Sequence, residues 1–339
     1  MTYIRYRVLI NFNEIVEGDS MDYMEELRNK IYAGYEINKT EAMLLVKMPL
    51  DELSQIADEM RKYFCGNKFD ICTIINGKSG RCSENCKYCA QSAHYKTKVE
   101  EYPLLDTQPI LDEAEYNYNK GVMRYSVVTS GRALSDAEVD KLVDTMKQVH
   151  AKCPIKLCVS GGLLNEMQFK KLHEAGVERV HNNLESSRNH FPDVCTTHKF
   201  DDKINAIKAA QRVGMSVCSG GIMGIGETME DRIDMALELR DLGVNSVPIN
   251  ILNPIAGTPY EHNKRLSDEE IQRIVAIYRF ILPKAFIRLA GGRGLLADKG
   301  MKCFQSGADA AISGDMLTTS GISIDTDMQM IKQLGFKLS

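Results

Sequence analysis

Three cysteines, Cys82, Cys86 and Cys89, fall within one short stretch, RCSENCKYCAQSAHY, spaced C-x3-C-x2-C with Tyr88 just before the last. In a reducing compartment, thiols this close together are more often metal ligands or catalytic groups than disulfide partners. A closed structural zinc site takes four ligands, commonly as two separated pairs, and no second C-x2-C pair occurs in the chain. A catalytic zinc with three protein ligands, or three unrelated thiols, are the competing readings. A cubane iron–sulfur cluster accounts better for the crowding, because three thiolates then leave one of its four irons for an outside ligand.

Whatever these thiolates hold, a scaffold has to present them. From residue 70 onward, short β-branched runs alternate with helical patterns. The runs are ICTIING (71–77), RYSVVTSG (124–131), IKLCVSGG (155–162), ERVHNNLES (178–186), SVCSGGIMG (216–224), SVPINIL (246–252), FIRLAGGR (286–293) and AAISGDML (310–317). Between them, stretches such as SDAEVDKLVDTMKQVHAK and TMEDRIDMALELRDLG repeat apolar residues at helical spacing. Strands joined by helical crossovers run parallel. Eight such units predict an α/β fold, a closed (β/α)8 TIM-type barrel. Residues 1–64 are then an N-terminal helical extension, 65–320 the barrel and 321–339 a C-terminal cap segment. Chemistry in such barrels sits at the C-terminal strand ends, and the cysteine triplet directly follows the first strand.

Composition narrows the function classes. The chain has 339 residues, 44% of them apolar, ten cysteines and a net charge of -4. Basic and acidic residues are interspersed, with no long basic block to track a phosphate backbone, so nucleic acid is not an expected partner. No apolar run approaches the roughly 18 residues of a membrane span, and the opening MTYIRYRVLINFNEIVEGDS lacks a signal core and cleavage site. The expectation is a cytoplasmic protein with no membrane partner. Met21 opens a cleaner amphipathic helix, MDYMEELRNKIYAG, and the residues before it receive no role.

The triplet spacing, the aromatic residue in its last gap and its place after the first strand resemble the radical S-adenosylmethionine superfamily. There a 4Fe–4S cluster binds the amino and carboxylate groups of S-adenosylmethionine at its unique iron, and one electron yields a 5'-deoxyadenosyl radical. Six stretches in order, GRCSENCKYCAQSAHY, NNLESS, CTTHKFDD, VCSGGIMGIGET, SVPINILNPIAGTP and IRLAGGR, are similar to the biotin synthase family. The resemblance runs from about residue 65 to 320. It implies sulfur insertion into dethiobiotin at C9 and then C6, with the sulfur drawn from an auxiliary iron–sulfur cluster inside the barrel. A flavodoxin- or ferredoxin-type electron donor and a homodimer are implied as well. Other radical enzymes on the same barrel, such as a hydrogenase maturase or a methylornithine synthase, are the nearest rivals; a cluster-binding redox sensor is a rival from another class.

In the best-known form of that family the auxiliary 2Fe–2S cluster is held by three strand cysteines and an arginine. Cys158 in KLCVS, Cys218 in SVCSG and Arg288 in FIRLAGG match, whereas Ser126 stands where the remaining cysteine is usual. Side chains inside such a barrel come in layers drawn from alternate strands. Cys158, Cys218 and Arg288 lie on strands three, five and seven, and the vacant member, strand one, carries Cys72. Cys72, Cys158, Cys218 and Arg288 are therefore expected around the auxiliary cluster, with Ser126 nearby as hydrogen-bond donor or weak ligand. A four-iron cluster with additional sulfide is the alternative to 2Fe–2S.

The resemblance implies further contacts. Asn183 and Glu185, two apart on a strand and so on one face, are expected at the ribose diol of S-adenosylmethionine, although aspartate is usual for Glu185. Lys203 takes a place where arginine is common near the methionine carboxylate, supplying charge without the bidentate fork. Tyr88 is expected to stack near adenine or shield the cluster. Asn250 matches the residue that holds the ureido ring, and Thr318 and Thr319 lie where donors meet the acid tail. His181, where asparagine is usual, is either a neighbour of the ligands or a satisfied strand histidine. Cys65, Cys153 and Cys303 read as packing residues; Cys195, in DVCTTHK, is left unassigned.

Overall fold

Each β-branched run forms a parallel strand in the computed structural model, which describes residues 20–339. In chain order these are β1 Lys68–Lys78, β2 Arg124–Thr129, β3 Lys156–Ser160, β4 Val177–His181, β5 Ser216–Cys218, β6 Gly221–Met223, β7 Ser246–Ile251, β8 Phe286–Leu289 and β9 Ala310–Ser313. They pair in sequence, and β1 pairs with β9 to close the ring. β5 and β6 share one place in the barrel, both pairing with β7. Between them, a Cβ on Gly220 would stand 2.0 Å from the Pro248 carbonyl oxygen, so glycine alone lets the chain pass that close.

Local chemistry sets where the helices begin. Ser135 and Glu138 form a capping box that starts the helix Asp136–Lys152, and Thr228 with Asp231 does the same for Met229–Asp241. These starts fix the length of the loops leaving the strand ends. The helix Leu50–Cys65 packs along Asp268–Ile281, tying the N-terminal helices to the outer layer. The part of the expected N-terminal extension at residues 1–19 lies outside the described residues. At the other end, the helix Ile324–Gln333 is anchored by a buried Asp327–Arg293 pair at 2.6 Å. The final strand, β10 Lys337–Leu338, pairs with Lys68 and Phe69 at the beginning of β1, the end of the barrel opposite the mouth. Among the described residues no helix is long and apolar enough to cross a membrane.

One strand ends earlier than expected. β4 stops at His181, so Asn183 and Glu185 do not share a face through strand alternation. The chain kinks there instead, with Glu185 at φ +71°. Its N–H donates to the Gly220 carbonyl at 3.0 Å and its own carbonyl accepts from Ile222 N–H at 2.9 Å, which locks the kink against the β5–β6 break.

Candidate active site

Strand register decides what faces the barrel interior. Residues two apart point the same way, and the interior set includes Cys72, Ile74, Ser126, Cys158, Arg179, His181, Cys218 and Arg288. Ser126 lies in register with both Ile74 and Cys158, and His181 with Cys218. Cys72, Cys158 and Cys218 are all buried. Arg288 is 2% exposed, donates to the carbonyls of Asp70 at 3.0 Å and Ala311 at 2.9 Å, and its Nη2 lies 2.8 Å from the Asp70 carboxylate. Arg179 reaches the other Asp70 oxygen at 3.3 Å.

The charges at this floor do not balance. Three buried guanidiniums, Arg124, Arg179 and Arg288, face one buried carboxylate, that of Asp70, while the exposed Glu178 lies 3.8 Å from Arg124 Nη1. Burial alone would raise the Asp70 pKa, but those arginines hold it down to about 2. Burial also opposes ionisation of Cys218, yet His181, Arg288 and Arg179 bring its thiol down to about 6. Cys72 goes the other way, pushed up to about 12 by burial. Arg124 Nε and Nη1 and Ser126 Oγ find no hydrogen-bond partner among the described residues. An anionic, thiolate-bound iron–sulfur cluster fits this donor set: it supplies the missing negative charge and acceptors for the orphaned donors.

The triplet sits at the mouth in the loop after β1. Cys82 N–H donates to Gln91 O at 3.0 Å and its carbonyl accepts from Ala93 N–H at 2.8 Å, folding the loop back on itself. Tyr88 packs against Val194, Ile225 and Leu252. Among the described residues one set of three His, Cys, Asp or Glu ligand atoms lies within 4.8 Å of one another, that of Cys86, Cys195 and His198. Cys82, Cys86 and Cys89 do not make such a set among the described residues. Three thiolates in one loop at the cavity mouth are what a cubane cluster with one iron open to an outside ligand takes.

Both thiol sets open onto a single cavity of about 390 Å³. Asn183, Glu185 and Lys203 line it, as do Asn250, Thr318 and Thr319. Asn183 Oδ1 accepts from Gly220 N–H at 3.0 Å, while Glu185 Oε2 is buried with no hydrogen-bond partner among the described residues. Asn250 is partly committed: Nδ2 donates to Gly221 O at 3.1 Å and Oδ1 accepts from Gly291 N–H at 3.0 Å. One amide hydrogen and one lone pair remain for a ligand. Cys65, Cys153 and Cys303 stand apart from the cavity: Cys65 ends its helix beside Arg279, and Cys153 and Cys303 are buried in the outer layer, whereas Cys195 lies behind the wall residue His198 at 3.3 Å.

Sequence reasoning missed the arginine–aspartate network. Asp70, Arg124 and Arg179 sit at strand beginnings, where charge usually reads as solvated, and only the pairing of separate strands buries them. It also missed Glu84 and His198, whose Oε2 and Nδ1 meet at 2.5 Å at the cavity wall. The unassigned Cys195 was the available signal, since His198 lies three residues on.

Comparisons with known proteins agree with this architecture. The chain matches the Radical SAM superfamily over residues 78–239 and the Biotin and Thiamin Synthesis associated domain over residues 248–337. It is 61% identical to a biotin synthase of Brachyspira hyodysenteriae, over 93% of this chain and 95% of that one. A biotin synthase of Clostridium botulinum is 57% identical, over 94% of this chain and all of its own. Among solved structures, a methylornithine synthase superposes with TM-score 0.80 at 18% identity, over 92% of this chain and 97% of that one. An FeFe-hydrogenase maturase also gives 0.80 at 18% identity, over 97% of this chain and 77% of its own. At such low identity the structural matches show the barrel fold alone.

Proposed function

The chain belongs to the biotin synthase family of radical S-adenosylmethionine enzymes, and from that premise we propose that it inserts sulfur into dethiobiotin, at C9 and then C6, to form biotin. It is a sulfurtransferase of the radical type. With S-adenosylmethionine, a 4Fe–4S cluster on Cys82, Cys86 and Cys89 would supply the hydrogen-abstracting radical, and an auxiliary iron–sulfur cluster, 2Fe–2S or four-iron with extra sulfide, the sulfur.

The chain's own groups bind, orient and exclude water. Cys72, Cys158, Cys218 and Arg288 would hold the auxiliary cluster, with Asp70 fixing the Arg288 guanidinium and Ser126 Oγ nearby as hydrogen-bond donor or weak ligand. Glu185 Oε2, with no hydrogen-bond partner among the described residues, accepts from the ribose diol of S-adenosylmethionine beside Asn183. Lys203 takes the methionine carboxylate, and Tyr88 closes the wall beside the triplet. The free amide hydrogen and lone pair of Asn250 meet the ureido ring, which both donates and accepts. Thr318 and Thr319 meet the acid tail. A flavodoxin- or ferredoxin-type electron donor, a homodimer and a cytoplasmic location complete the reading.

One observation carries it: a single cavity takes in both thiol sets together with the polar groups between them. A substrate held there faces a radical source on one side and a sulfur source on the other. Anaerobic incubation with reductant, S-adenosylmethionine and dethiobiotin tests it. The expected result is biotin with about two 5'-deoxyadenosines per product, one for each carbon activated; nucleoside without biotin would remove the substrate assignment.

A further inference from the structure

Among the described residues, three ligand-type side chains converge at a place away from the barrel floor. Cys195 follows the short helix Phe191–Val194, and His198 precedes the helix Phe200–Arg212. The turn between them is clamped to the cysteine loop. Asn85 Oδ1 accepts from the N–H groups of Thr196 at 2.9 Å and Thr197 at 3.2 Å, and Lys87 N–H donates to Val194 O at 3.0 Å. As a result Cys86 Sγ, Cys195 Sγ and His198 Nδ1 all lie within 4.8 Å of one another, with Cys195 Sγ 3.3 Å from Nδ1.

Tetrahedral bonds of ~2.3 Å to sulfur and ~2.0 Å to nitrogen place those two atoms roughly 3.5 Å apart. The three groups therefore stand at the spacing of one ion. Glu84 Oε2 now shares Nδ1 and would release it, keeping Thr197 Oγ1 at 2.8 Å and Arg132 Nη1 at 3.4 Å. Nothing in the sulfur-insertion chemistry uses Cys195.

We propose that Cys86, Cys195 and His198 form a mononuclear site for one divalent ion, ferrous iron or zinc, in the chain before its cluster is built, with a fourth position open to water. Thiolate and imidazole ligands suit these ions. Because Cys86 belongs to both sets, the ion and the 4Fe–4S cluster exclude one another. Ferrous iron held here waits beside the triplet, whereas zinc held here blocks it. The ion site is a property of the cluster-free chain, read by cobalt alone; its exclusion of the cluster rests on the reading that Cys86 is also a ligand of the 4Fe–4S cluster.

Cobalt(II) is the probe. Titrated anaerobically into the cluster-free full-length chain, it should bind with thiolate-to-cobalt charge-transfer bands and tetrahedral d–d bands. Losing an outer-shell partner costs about 10–100-fold in metal affinity, so losing a ligand in Cys195→Ser or His198→Gln should weaken binding by more than that. Cys65→Ser, outside the cavity and beside Arg279, should bind as the parent does. Zinc added beforehand should slow cluster reconstitution several-fold in the parent and not in Cys195→Ser. Tetrahedral bands that never form, or that survive Cys195→Ser or His198→Gln, overturn the proposal, as does zinc that leaves reconstitution unaffected.

Discussion

Asp70 shows how a residue remote from any substrate governs the site. Its carboxylate is the counterion of Arg288 at 2.8 Å and of Arg179 at 3.3 Å, all within the barrel. Removing one member of a buried ion pair typically costs about 3–5 kcal/mol, because the partner charge stays buried. Asp70→Asn should lower the stability of the cluster-free chain by that order at neutral pH, measured by urea unfolding. The native carboxyl sits at about 2, below its ordinary value. Its stabilisation is therefore fully present above the ordinary carboxylate range and fades as pH falls toward 2. The gap between the two proteins should close on acidification; a gap that widens contradicts this assignment. Cys72 offers a second test at this scale. Cys72→Ala should lose the auxiliary iron while keeping the triplet cluster, by iron counting and Mössbauer spectroscopy, and Ser126→Ala should keep both. An auxiliary cluster that survives Cys72→Ala unchanged would make Cys72 only a packed thiol.

The element that most depends on one residue is the interrupted strand, β5 and β6. Gly220 lies in the break, donating to Asn183 Oδ1 and accepting from Glu185 N–H, so both expected ribose contacts hang on its position. A Cβ there meets the Pro248 carbonyl at 2.0 Å, which must push β5–β6 from β7. Gly220→Ala should cost about 1–3 kcal/mol, as overpacking does, and weaken S-adenosylmethionine binding; thermal unfolding and calorimetric titration measure the two. An unchanged melting temperature would mean that the break has slack. This element also marks a limit of sequence reading. SVCSGGIMG is legible as a strand because its ends are apolar, but the break at Ser219–Gly220 follows from the approach of another strand. In the same way ERVHNNLES continues a strand-like pattern past His181, while the positive φ of Glu185 is imposed by its bonds to Gly220 and Ile222.

For the whole molecule, the alternation of β-branched runs with helical stretches was enough to foresee a closed eight-stranded barrel, since parallel strands with crossover helices have few other closed solutions. The family resemblance pointed to Cys158, Cys218 and Arg288, and the layering of alternate strands added Cys72 to them; all four line the one cavity. The charged floor was not legible, because Asp70, Arg124 and Arg179, with Arg124 and Arg179 lying 54 and 109 residues after Asp70, come together only when the barrel closes. The Cys86–Cys195–His198 group was hidden for the same reason, two loops being joined through Asn85. The central claim is spatial: one cavity would bring a radical source at its mouth and a sulfur source at its floor to the same substrate. Its most direct test is a single turnover with protein reconstituted from isotopically labelled sulfide, followed by mass spectrometry of the product. The account predicts biotin carrying the protein's labelled sulfur, and none from Cys72→Ala, which should still cleave S-adenosylmethionine. Unlabelled biotin from the labelled protein, or labelled biotin at the parent's yield from Cys72→Ala, would contradict it.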